Sequence, residues 1–122
     1  MLIKRWFNLF KGNDYERRKF PRYDCSFKVS YMTQGTSAIG SQAMADNISR
    51  AGIRIRASRL IKKGDVVRMG IYPHFEEEPV TAVGVVKWTG RNNFDPKFTV
   101  DAGIKFLYIE SFSADRLISL AQ

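Results

Sequence analysis

The strongest constraint on this chain is a period of two. From Asp24 onward, Phe27, Val29 and Tyr31 alternate with Ser26, Lys28 and Ser30, the pattern of a strand with one buried face. Ile53 and Ile55 alternate with Arg54 and Arg56 in the same way. So do Val67, Met69 and Ile71, and so do Phe98, Val100, Ala102, Ile104 and Phe106 against Thr99, Asp101, Gly103 and Lys105. The first strand is expected to run to about Met32, and residues 80 to 88 read as another β-rich run ending at Trp88. Turn residues separate these runs: the Gly, Thr and Ser stretch at 33 to 40, Asn47 to Gly52, Lys62-Lys63-Gly64, and Pro73 to Pro79, whose Glu76, Glu77 and Glu78 read as a solvated tip. Five to seven short strands at this spacing predict a closed antiparallel barrel or a sandwich rather than an alternating α/β fold. The last segment, SADRLISLAQ, reads as a short closing helix capped by Ser113.

At 122 residues the chain has room for one domain and a tail. A hydrophobic content of 44% excludes a disordered chain and permits a core. Residues 1 to 11, MLIKRWFNLFK, set Leu2, Ile3, Trp6, Phe7, Leu9 and Phe10 against Lys4, Arg5, Asn8 and Lys11, as in a short amphipathic basic helix. Gly12, Asn13 and Asp14 break it, which predicts a tail over 1–14 and a barrel domain over 15–122. That helix suits an anionic membrane surface or a protein partner. Packing on its own barrel, or a frayed end, suits it equally.

The net charge of +8 points to anionic partners. Much of it lies at the front, where Lys4, Arg5, Lys11, Arg17, Arg18, Lys19 and Arg22 face Asp14 and Glu16 alone. Cys25 is the single cysteine, so no intramolecular disulfide forms and a reducing cytoplasm is the expected setting. No stretch is long and apolar enough for a membrane span or a secretory leader; peripheral membrane contact through residues 1–11 is the remaining membrane expectation.

Two short constellations carry chemistry. In RRKFPR, Pro21 keeps the segment extended, so Arg18 and Arg22 place two guanidinium forks within about 13 Å along the chain, with Arg17 just before them. Each fork can grip a phosphate or the O6/N7 edge of guanine, and its flat face can stack on a purine. In Asn47-Ile48-Ser49-Arg50-Ala51-Gly52 a turn presents an amide and a hydroxyl and ends in glycine, which permits positive φ or close ligand approach. Asn47 can pair with the Watson–Crick side of a guanine while Ser49 donates to a phosphate or base. The two motifs read as complementary halves of one site.

The pair RxxxR at Arg18 to Arg22 and NxSxxG at Asn47 to Gly52 resembles the double signature of the PilZ domain. Each motif alone is common; together, in this order and each beside an expected strand, they are specific. VVKWTG at 85 to 90, AGIKF at 102 to 106 and the closing helix extend the resemblance over residues 16 to 121. It implies a six-stranded antiparallel barrel that binds cyclic di-GMP without catalysis and signals to a partner by changing shape. It also implies that Arg18 and Arg22 clamp guanine and phosphate, that Asn47 and Ser49 bond a guanine, and that Gly52 leaves room for it. Arg17 resembles the position whose basic residue favours a stacked pair of ligand molecules. Many members carry Asp where this chain has Asn47, and an amide offers one acceptor oxygen to the two N–H donors of guanine, which implies weaker binding.

Plainer readings stand beside these. Two arginines four apart commonly sit on solvated surface, and Asn-x-Ser-x-x-Gly is commonly a turn closed on its own backbone. Arg50, Arg54 and Arg56 read as an outward strand face, with Arg50 a weaker ligand candidate. Trp88 reads as core or barrel rim and, more weakly, as a stacking platform. His74 is solitary, so neither a metal nor a cofactor is expected. No Ser/His/Asp set, phosphate-cradling glycine loop or base beside Cys25 supports an enzyme. The competing functions are a basic barrel that binds RNA or single-stranded DNA, and a PilZ-like module that acts through protein contacts alone.

Overall fold

The computed structural model describes residues 20–33, 41–58, 61–73 and 78–121. The expected N-terminal helix, Arg17, Arg18, His74, Glu76 and Glu77 lie outside them, as does the expected boundary at residue 14. Among the described residues six strands form: β1 (Tyr23–Thr33), β2 (Ser41–Ile48), β3 (Gly52–Ala57), β4 (Val66–Tyr72), β5 (Val80–Arg91) and β6 (Val100–Ile109), followed by one helix, α1 (Ser111–Leu120). All neighbouring strands pair antiparallel. They close in the order β1-β2-β3-β6-β5-β4, so the barrel of the two expected architectures is the one adopted. Closure leaves none of the described strands with an unpaired edge to template aggregation.

The alternating residues fill the lumen. Phe27, Val29, Ile53, Ile55, Val67, Met69 and Ile71 are all buried, together with Ala43 and Ala45 of β2, whose small side chains suit a narrow barrel. Leu117 of α1 is fully buried against this core and Ala114 is nearly so. The helix therefore packs on the barrel through one face.

Three sequence expectations are corrected. The residue preceding the helix is Glu110, with no side-chain cap; Ser113 lies in the first turn, and its hydroxyl donates to Glu110 Oε1 at 3.4 Å. β5 continues past Trp88 to Arg91, and β6 starts at Val100, leaving Phe98 in the preceding loop. Phe106 keeps the inward phase and packs against the core, half-buried, just before a bulge at Leu107.

Such bulges position the site. Ala45 pairs with Ile55 and Asn47 with Arg54, so Asp46 is an extra residue in β2. Ala45 and Ile48 both enter the core while Asp46 and Asn47 stay outside. Val86 pairs with Ile104 and Trp88 with Gly103, so Lys87 is extra in β5. Val80, Ala82, Gly84 and Val86 face inward, and continued alternation would bury Trp88 as well. The bulge instead turns it onto the outer surface, re-aiming one side chain without ending the strand.

Candidate ligand-binding site

The registers assemble one row across the outer surface. Asp24 of β1 pairs with Asn47 of β2, Asn47 with Arg54 of β3, Arg54 with Gly103 of β6, and Gly103 with Trp88 of β5. Around this row lies a cavity of about 470 Å³, within the ~300–1,000 Å³ common for small-molecule sites. Arg22, Asn47, Ser49 and Gly52 all line it, as do Arg54, Lys87, Trp88 and Lys105.

The turn is built by Ser49, which is 9% exposed. Its hydroxyl oxygen accepts from the amides of Ala51 at 3.1 Å and Gly52 at 3.2 Å, while the Ser49 amide donates to the Gly52 carbonyl at 2.9 Å. The plain structural role of Ser49 is thus real. With its lone pairs engaged, the hydroxyl proton is what it can still offer a ligand. Ala51 anchors the turn to β6 by accepting from the Phe106 amide at 2.8 Å.

Gly52 does not use the positive φ that a glycine permits. Among the described glycines only Gly64 has positive φ, and a Cβ at residue 52 would collide with the Ile104 carbonyl oxygen on β6. Glycine is needed there so that the β3 and β6 backbones can approach, beside the cavity.

Arg54 is a site residue that sequence reasoning left on solvated surface. Its guanidinium stands 3.2 Å from Asp101 Oδ2 and 3.7 Å from Asp46 Oδ1, and 5.7 Å from the Trp88 ring centre, in cation–π range. Arg56 shares Asp46 at 3.9 Å and reaches Asp95 at 3.4 Å. Burial pushes the Asp46 carboxyl above its ordinary value, and the guanidiniums of Arg54 and Arg56 offset this only in part. Two carboxylates therefore hold Arg54 in place and neutralise it.

Lys87 and Lys105 were also missed, since an exposed lysine has no distinguishing sequence pattern. Trp88, expected in the core or at the barrel rim and more weakly as a stacking platform, is 44% exposed and lines the cavity. Arg50 points away: it is exposed and its guanidinium pairs with the Asp115 carboxylate of α1, tying the turn to the helix.

A larger hollow of about 810 Å³ opens around Asn92, Asp95 and Lys97, but none of the motif residues lines it. Its Asp95 already accepts the amides of Lys97 and Phe98, which hold its carboxyl below the usual value. Among the described residues no cluster of His, Cys, Asp and Glu could hold a metal ion. None of their helices is long and apolar enough to cross a membrane.

These features define the class: a small closed β-barrel with a cavity, lined by both charged and apolar side chains, on the outer wall instead of in the lumen. The model of the PilZ domain matches residues 16–121, and the chain belongs to the PilZ domain family, a family of cyclic di-GMP receptors and adaptors. Domains of this family are in general ligand-binding and adaptor domains. The structure of the Bacillus subtilis inhibitor of motility (MotI/DgrA) superposes with a TM-score of 0.66 at 18% identity, over 84% of this chain and 48% of that one. This chain thus spans about half the length of that protein and shares its barrel fold. No curated protein matches the sequence.

Proposed function

We propose that this chain is a cyclic di-GMP receptor and adaptor whose ligand occupies the outer cavity. The observation that carries the reading is that Arg22 and the Asn47 to Gly52 turn, far apart in sequence, line one hollow together with Trp88. In this reading Arg22 grips a phosphate or the O6/N7 edge of a guanine, and Arg17 and Arg18 add guanidiniums from the same lead-in segment. Asn47 bonds the opposite edge of the base, Ser49 donates its hydroxyl proton, and the exposed Trp88 indole offers a stacking face.

The basic lead-in joins strand β1 directly to the amphipathic segment 1–11. Ligand contact at Arg17 to Arg22 is therefore mechanically coupled to a surface suited to a protein partner or, in a cytoplasmic protein, to an anionic membrane. Hydrogen exchange in residues 1 to 23 that is unchanged by ligand removes this coupling from the reading.

Calorimetric titration tests the binding. Cyclic di-GMP binds the wild-type chain, and Arg22→Ala or Asn47→Ala weakens it by about 2–3 kcal/mol for Arg22 and about 1–2 kcal/mol for Asn47. No heat with the wild-type chain, or heat only with an RNA or single-stranded DNA oligonucleotide, overturns the proposal.

A further inference from the structure

The cavity carries cations at two opposite edges. Arg22 stands at the β1–β2 edge. Lys87 and Lys105 stand on β5 and β6, which β3 separates from β2 in the barrel order. Lys105 pairs with Val85, and Lys87 is the bulge residue between the Val86–Ile104 and Trp88–Gly103 pairs. The two lysines therefore sit on adjacent strands on the outer surface, and both are exposed. Arg54, between the two edges, is neutralised by Asp46 and Asp101. Arg22, Lys87 and Lys105 make no ion pair among the described residues. The cations of the hollow that carry no ion pair among the described residues are thus split, with the neutral amide of Asn47 and the indole of Trp88 between the two halves.

We propose that Lys87 and Lys105 form a second phosphate subsite, which holds the phosphodiester of the bound cyclic dinucleotide that lies away from Arg22. This rests on the receptor reading above and adds to it the reason a ligand with two phosphates is selected over a mononucleotide. One phosphate satisfies only one edge, leaving the other set of cations unmatched; a cyclic dinucleotide satisfies both with a base between them.

The test titrates cyclic di-GMP into the wild-type chain, Arg22→Ala, Lys87→Gln/Lys105→Gln and Lys87→Arg/Lys105→Arg at several NaCl concentrations, with thermal unfolding of each variant as the control for folding. The glutamine pair loses affinity by roughly ten-fold or more, and its affinity falls less steeply with salt. The arginine pair keeps both. Wild-type affinity and salt dependence in the glutamine pair, with Arg22→Ala weakened, overturn the subsite and leave the receptor standing. A wild-type chain that takes up no cyclic di-GMP overturns both.

Discussion

Trp88 lies across Gly103 on the neighbouring strand, so closely that a Cβ at residue 103 would overlap the nitrogen side of the indole. Two local choices cooperate: the Lys87 bulge turns the indole outward, and the missing side chain at 103 lets it lie down on the sheet beside Arg54. Gly103→Ala should therefore lift Trp88 off β6. Because the indole can swing into solvent, the cost falls at the lower end of the ~1–3 kcal/mol typical of overpacking. In a Trp6→Phe background, which leaves Trp88 as the only tryptophan, the emission maximum should move to the red and cyclic di-GMP should bind more weakly. Unchanged emission and unchanged urea stability would contradict the stacking.

The barrel was legible because its lumen repeats one rule. Phe27, Val29, Tyr31, Ile55, Val67, Met69 and Ile71, picked out by alternation, are all buried. The site was legible only as far as its residues lie close in sequence to a motif, as Arg22, Asn47, Ser49 and Gly52 do. Arg54 was taken for solvated surface because its partner Asp101 lies on β6, brought beside it only by barrel closure. Trp88 could be read only as core or barrel rim, with stacking as the weaker reading, because a bulge is one extra residue with no compositional mark, yet it reverses the side on which the next residue faces. The helix start was misplaced for a local reason: a serine near a helix start commonly caps it, but Ser113 bonds the Glu110 side chain instead.

Cys25 gives a pH-dependent test of the β1–β2 wall. Burial pushes its thiol from 9.0 to about 11, with the carboxylates of Asp46 and Asp24 adding to the rise and the Phe27 amide opposing it. Below pH 9 the thiol is protonated whether the chain is folded or not, so it adds no pH dependence. Between about 9 and 11 the unfolded chain releases the proton while the folded chain retains it, so stability falls as pH rises through that window. Wild-type stability should decline more steeply there than that of Cys25→Ala, and iodoacetamide should label the folded wild-type chain slowly at pH 8 because thiolate is scarce. Parallel pH profiles for the two proteins would show that the thiol does not sense the fold.

Ser49 separates holding the turn from holding the ligand. Its hydroxyl oxygen accepts from Ala51 and Gly52, so Ser49→Ala leaves two partly buried amides without that acceptor and should lower stability by about 1–2 kcal/mol, at unchanged m-value in urea. Ser49→Thr retains the oxygen and should recover most of the loss. The hydroxyl proton points to a second effect, because the alanine variant, still folded at low temperature, should also bind cyclic di-GMP more weakly than wild type. A stability change inside the ~0.5 kcal/mol usual for surface substitutions would mean that the turn is held by its backbone bonds, Ser49 to Gly52 and Phe106 to Ala51. Normal affinity in the folded alanine variant would confine Ser49 to architecture and leave Arg22, Asn47 and Trp88 as the groups that face the ligand.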